Sequence, residues 1–117
     1  MLKIMTEASG SLASGYMMKA IRAAGHSPVG SDITPFTAAM DLADENVVVP
    51  PRDDPALWAL MEKILLDHRI DMVIPTFDFT LLGWAERREY FAERGITVVI
   101  SPAATVETFL DKWLTYE

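Results

Sequence analysis

The chain has 117 residues, half of them apolar and 23% charged, which places it near the globular average and makes one small domain with its own core the expectation. It holds no cysteine, so disulfides, thiolate metal sites and thiol nucleophiles are excluded; its net charge of −7, with no basic cluster beyond Arg87–Arg88, lacks the electrostatic footprint of a nucleic-acid binder. The apolar run Leu57–Met61, like every other in the sequence, is far short of a bilayer span, and no apolar stretch follows Lys3 as a signal peptide requires, so no membrane contact and a cytoplasmic location are expected.

Leu2–Met5 reads as a strand entering a turn at Thr6-Glu7-Ala8-Ser9-Gly10. From Leu12 the period changes: Ala13, Tyr16, Met17, Ala20, Ile21 and Ala24 recur on one helical face, and Gly25 supplies the stop. Pro28–Ile33 is a weaker second strand, and the Ala-Met-Asp-Leu-Ala stretch within Thr34–Asn46 allows a short helix. Val47–Val49, closed by Pro50-Pro51, is a third strand. Asp54 before Pro55 has the form of an N-cap with proline at the first helical position, and Leu57, Leu60, Met61, Ile64 and Leu65 follow at helical spacing. Asp71–Pro75 is a fourth strand, Thr80–Arg94 a helix ended by Gly95, and Ile96–Ile100 a fifth strand. Ser101-Pro102 opens a last helix with Val106, Phe109, Leu110, Trp113 and Leu114 on one face.

Unbroken β-branched runs are covered on both faces, and here strands alternate with helices. The expected fold is therefore an α/β, three-layer doubly wound parallel sheet of five strands with right-handed crossovers, in the order 3-2-1-4-5. Ligands of such sheets sit beyond the C-terminal strand ends where strand order reverses, which selects the loops Thr6–Gly15 and Thr76–Asp78.

Gly10 and Gly15 have the spacing of the outer glycines of a dinucleotide loop, and Asp32 ends the next strand, but Leu12 occupies the middle position where glycine lets the backbone approach a pyrophosphate. Tyr16 stands where a Walker loop needs lysine. The loop is thus a helix N-terminus for some other anionic group, a tight turn or, with Leu12 against it, a dinucleotide site. Asp78 is equally readable as an N-cap or as a polar contact to a substrate. His26 and His68 have no partner spacing for a metal and read as solvated, Arg88 as a snorkelling surface residue, and Trp58, Trp84 and Trp113 as core or interface residues. No serine–histidine–acid set and no paired carboxylates in one loop stand out, so no catalytic residue is assigned.

In order, Ala8–Ser14, Ala20–His26, Asp32, Val49-Pro50, Ile74–Asp78, Gly95-Ile96 and Asp111-Lys112-Trp113 resemble the N-terminal, Rossmann-like domain that precedes the nucleotide-binding module of ATP-grasp ligases, in the carbamoyl-phosphate-synthase-like branch. The resemblance implies a pre-ATP-grasp domain over 1–101 and, over 102–117, the start of the helix linking it to an ATP-grasp module. It implies an ATP-dependent carboxylate–amine or carboxylate–ammonia ligase, in which ATP phosphorylates a carboxyl group and a nucleophile displaces the phosphate. ATP and magnesium would serve the full-length enzyme, with no cofactor expected on this lobe and no activity expected from it alone. Ser9, Gly10, Ser11, Thr76, Phe77 and Asp78 match the substrate-side loops for a small carboxylate substrate, and Lys112 matches a basic position near the nucleotide phosphates. Phe79 departs from the pattern, replacing an acidic residue that frequently follows the aspartate. The alternative is a small Rossmann-type module that binds a dinucleotide or other ligand without catalysis. The apolar stripe reaching Trp113 and Leu114 suggests either docking on the ATP-grasp module or a homodimer through the C-terminal helix.

Overall fold

The computed structural model describes residues 1–7, 12–34 and 40–108. Five strands form one sheet, parallel as the alternation of strand and helix implies, in the order β3-β2-β1-β4-β5 that analogy with doubly wound folds suggests. These are β1 (Lys3–Thr6), β2 (Ser27–Asp32), β3 (Glu45–Val48), β4 (Met72–Ile74) and β5 (Thr97–Val98). The helices are α1 (Leu12–Ala23), α2 (Leu57–Asp67), α3 (Asp78–Glu86), α4 (Arg88–Ala92) and α5, described over 103–108, with a 3₁₀ turn at Met40–Leu42 inside the Thr34–Asn46 segment. Register is set at the centre, where Met5 faces Val29 on one side and Val73 on the other, all three fully buried. Between the sheet and α2–α4 lies the main core, which holds Leu57, Met61, Leu65, Trp84 and Phe91. Among the described residues no helix is long and apolar enough to cross a membrane.

Several strand ends shift by a residue from the sequence reading, and three larger differences stand out. The third strand starts at Glu45, two residues before the valine run, because it is an edge strand in which only Val47 is buried. The Thr80–Arg94 segment is two helices, broken at Arg87, whose N–H turns back to the Trp84 carbonyl (3.1 Å) while its guanidinium donates to the Gly83 carbonyl (3.1 Å). The fifth strand pairs only over Thr97–Val98, opposite Met72 and Val73 of β4, with the Val99 N–H returning to the Val73 carbonyl at 2.9 Å. Within α1 the buried face is Ser14, Met18 and Ile21, one position round from the expected stripe, and Tyr16 is 76% exposed. Alanine-rich spacing left that face ambiguous, since small residues fit either side.

Gly83 is where backbone and side chain approach too closely for any other residue: a Cβ there would lie 2.2 Å from Trp58. Its absence lets the Trp58 indole lie on α3, edge-on to Trp84 at 5.0 Å and under the Arg87 guanidinium at 4.3 Å. Trp84 is thus core and Trp58 a partly buried residue packed against it. Val106 of α5 is buried, while Phe109, Leu110, Trp113 and Leu114 lie outside the described residues.

Candidate functional site

Parallel strands send all their C-terminal ends to one side, so the loops after β1, β2, β3 and β4 share a rim. Strand β1 lies between β2 and β4, which brings its following residue, Glu7, against both. The Thr76 hydroxyl donates to the Glu7 backbone carbonyl at 2.9 Å, tying the post-β4 loop to the end of β1. The two loops singled out by topology are therefore neighbours.

Glu7 continues β1 into the body of the protein and is 6% exposed. Its carboxylate accepts a bond from the Thr80 hydroxyl, 2.9 Å at one oxygen and 3.2 Å at the other, so the first turn of α3 is fastened to the end of β1. Burial pushes the Glu7 carboxyl above the usual carboxylate range; the Trp84 indole, the Thr80 hydroxyl and the backbone at Phe77 and Thr76 act the other way. Trp84 Nε1 is itself buried and makes no hydrogen bond of good geometry. Around this carboxylate the rim carries further buried hydroxyls: Ser31 donates to the Thr6 carbonyl (2.6 Å), and the Thr6 and Ser14 hydroxyls share a bond of 3.3 Å that sets the start of α1 over β1.

Beside Glu7 opens a cavity of about 280 Å³. Ser31, Asp32 and Ile33 from the end of β2 line it, with Val49, Pro50 and Arg52 after β3, Leu57 and Met61 of α2, and Phe77 and Thr80 from the post-β4 turn. Asp32 Oδ1 accepts from the Ile33 N–H at 2.7 Å, an aspartate closing its own turn. At the mouth the Arg52 guanidinium lies 3.5 Å over the ring of Phe79, which is 68% exposed and in edge contact with Phe77.

Of the residues predicted from sequence, Phe77 lines the cavity, Thr76 joins the two loops, and Asp78 is the exposed first residue of α3. Asp78 is not the N-cap: that place belongs to Phe77, with extended backbone and no side-chain cap bond, and Asp78 instead sits in the first turn where a negative charge suits the helix dipole. Likewise Asp54 does not cap α2 directly. It accepts the Ala56 N–H (2.8 Å) in a turn that precedes the helix, whose cap is Ala56. Ser9, Gly10, Ser11 and Lys112 lie outside the described residues. His26 and His68 are not merely solvated: His26 Nδ1 accepts the Leu2 N–H at 3.0 Å, and His68 Nδ1 is 3.2 Å from Glu45.

The sequence reading passed over Glu7 and Arg52. The signal for Glu7 was available, an acidic residue directly after a buried strand, entering the loop that topology had already chosen. Arg52 follows two prolines, and its place over the cavity depends on how α2 enters, which no local pattern states. Among the described residues no group of three or more acidic or histidine side chains is placed to hold a metal ion.

The model of a family described as "PylC-like, N-terminal domain" matches residues 11–99. A search of curated proteins gave no match. Among solved structures, the biotin carboxylase domain of a single-chain bacterial carboxylase superposes with a TM-score of 0.71 at 19% identity, covering 92% of this chain and 26% of that one. The same domain of the Hydrogenobacter thermophilus 2-oxoglutarate carboxylase, a complex with MgADP and bicarbonate, gives 0.69 at 19% identity, covering 90% and 24%. Glycinamide-RNase-transformylase T from Mycobacterium tuberculosis gives 0.67 at 17% identity, covering 90% and 28%. The chain thus spans about a quarter of the length of these structures, and at such identities the likeness is one of fold.

Proposed function

Since the chain belongs to the PylC-like N-terminal domain family and is the pre-ATP-grasp, Rossmann-like lobe that its motifs resemble, we propose that it is the substrate-side lobe of an ATP-dependent carboxylate–amine or carboxylate–ammonia ligase, of the carbamoyl-phosphate-synthase-like branch. The observation that carries this reading is the family match, which takes in every strand after β1, the Thr76–Asp78 loop and the Thr6–Gly15 loop from Ser11 onward. ATP and magnesium, held by an ATP-grasp module, supply the phosphoryl group that activates the carboxyl. None of the described residues of this lobe is assigned to that step.

The lobe's own contribution is placement. Glu7 and the Thr76–Asp78 turn meet at the crevice between β1 and β4, where a substrate can reach backbone N–H groups at the start of α3 and the cavity wall at Phe77. Ser9, Gly10 and Ser11 are proposed as further substrate contacts and Lys112 as a contact to the nucleotide phosphates. The alternative, a dinucleotide module without chemistry, has Leu12 against it.

The test is made on the protein that carries this lobe together with an ATP-grasp module, on one chain or two. Incubation with ATP, magnesium, candidate carboxylates and hydroxylamine is expected to yield a hydroxamate, the trapped form of an acyl phosphate, with ADP released in step. If neither the downstream coding sequence nor a companion chain supplies such a module, the ligase reading is wrong.

A further inference from the structure

A carboxyl buried without an ion-pair partner is among the costlier things a small fold can carry, and among the described residues Glu7 is such a group. A carboxylate offers about four acceptor positions. Thr80 has one hydroxyl hydrogen for them, and that oxygen also lies 3.2 Å from the Phe77 carbonyl. The Trp84 indole and the backbone at Phe77 and Thr76 also favour the ionised carboxylate, and none of these groups is a cation, while Glu7 itself lines the cavity of about 280 Å³.

The lining of that cavity has a definite sign. Two carboxylates, Glu7 and Asp32, line it against a single described cation, Arg52, and the Arg52 guanidinium is stacked on Phe79 at the mouth. Between them the walls are apolar: Ile33, Val49, Leu57 and Met61. The volume is at the low end of the roughly 300–1,000 Å³ of small-molecule pockets, so the occupant is small. A carboxylate ligand would face two like charges in a low dielectric, and a neutral one would leave Glu7 uncompensated.

We propose that this cavity binds a primary ammonium group carried on a short apolar body, with the ammonium donating to Glu7 beside Asp32 and the body lying against the apolar wall. The proposal rests on the ligase-lobe reading, within which it makes the cavity the subsite of the amine partner. The bland account of the same residues is a protonated Glu7 that only fastens α3 to β1 through Thr80. That account gives the adjoining cavity no occupant, and the two differ in what happens when a cation is offered.

The groups facing Glu7 are Thr80 and Trp84 from α3, the backbone of Thr76 and Phe77, Ser31 and Asp32 from β2, and Arg52 across the cavity. Since burial holds the carboxyl above its ordinary range, an ammonium that pairs with the ionised form displaces a proton and binds more tightly as pH rises.

The experiment is calorimetric titration of this chain with three probes of one shape, isoamylammonium, isoamyl alcohol and isovalerate. The ammonium is expected to bind at least about tenfold more tightly than the alcohol, and isovalerate to bind weakest. Ammonium affinity should rise between pH 5 and 8 with proton release, read from the dependence of heat on buffer, while alcohol affinity stays flat. Glu7→Gln, checked for fold by circular dichroism, should remove the ammonium preference and keep the alcohol's binding. Should that variant not fold, the wild-type probe order and pH dependence decide alone. An ammonium no better than the alcohol, a preference for isovalerate, a flat pH response, or a preference that survives Glu7→Gln overturns the proposal. No ATP enters these titrations, so their failure leaves the ligase reading intact, and a missing hydroxamate leaves the cavity's preference intact.

Discussion

At the N-terminal ends of its strands the sheet is closed by partly exposed ion pairs and tight turns, whereas at the C-terminal ends it is closed by buried hydroxyls and one buried carboxylate. On the first rim Lys3 pairs with Glu45, His68 adds to the same carboxylate, Asp71 accepts the Lys3 N–H at 2.9 Å, and Arg22 pairs with Asp44 at 2.8 Å. Every one of these charges has a partner and a path to water. On the second rim Glu7 is inside the protein with hydroxyl and backbone neighbours, next to an apolar cavity. Exposed pairs add little to stability and cost little to lose, while a buried polar set is expensive once one member is missing. The rim that carries the cost is the one where topology places a ligand.

The largest effect should come from cutting the single hydroxyl that serves Glu7. Thr80→Val keeps shape and helix position but leaves the buried carboxylate without its side-chain donor, and the loss expected at neutral pH is about 1.5–3 kcal/mol, read from urea denaturation. On the opposite rim Lys3→Met breaks the pair with Glu45, and its expected cost is under about 1 kcal/mol because both side chains are partly in water. Equal losses at the two sites would mean that the rims do not differ in the way burial implies.

How much of this was legible follows the same division. The strands, their order and the three long helices rest on periodicity and punctuation: the β-branched runs at Val47 and Val98, the stripe Leu57–Met61–Leu65, and Gly25 and Gly95 just past two helices. These are local signals, and the fold obeys them. Thr76 to Asp78 is singled out because strand order selects its loop, a topological argument that needs no side-chain detail. Glu7, Arg52 and the break at Arg87 were not found, since each is defined by a residue far off in sequence: Glu7 by Thr80, Arg52 by Phe79, and Arg87 by the Trp58 face it covers. The shifted face of α1 has another cause, because alanines give periodicity too little contrast and the Thr6–Ser14 bond decides the rotation.

The two rims also differ in the sign of their response to pH. Glu45 is held below the usual carboxylate range, first by its bond to Lys3 and then by His68, so it contributes stability above its unfolded pKa and loses it as pH falls through the lower folded value. Glu7 is held above that range by burial, so the folded state keeps its proton longer than the unfolded one, and its contribution to stability declines as pH rises past the ordinary glutamate value. Thermal melts from pH 4 to pH 8 should therefore show Glu7→Gln gaining on the wild type with rising pH and Glu45→Gln falling behind it. Parallel curves for the two variants would contradict the contrast between the rims.

The smallest effect separates the turns of the first rim from one another. Helices α1 and α4 leave by the same route: the N–H of His26 returns to the Ile21 carbonyl (3.1 Å) and that of Gly25 to Arg22 (3.0 Å), while Ile96 returns to Phe91 (3.0 Å) and Gly95 to Ala92 (3.1 Å). Helix α2 makes the same pair of bonds, Ile70 to Leu65 (2.9 Å) and Arg69 to Leu66 (3.2 Å), but the residue at the left-handed position is arginine, with φ of 55°, where the other two have glycine at 87° and 80°. A side chain with a Cβ costs roughly 1–2 kcal/mol in that conformation, and glycine has no such cost. Glycine also makes the unfolded chain more flexible, which takes back part of the gain. Arg69 is exposed and its side chain enters none of the ion pairs of this rim, so Arg69→Gly should stabilise the protein by a few tenths to about 1 kcal/mol in urea denaturation. The matching change at the other turns, Gly25→Arg or Gly95→Arg, should destabilise by a similar amount. A destabilised Arg69→Gly variant would show that the arginine side chain holds this turn in a way its backbone geometry does not reveal.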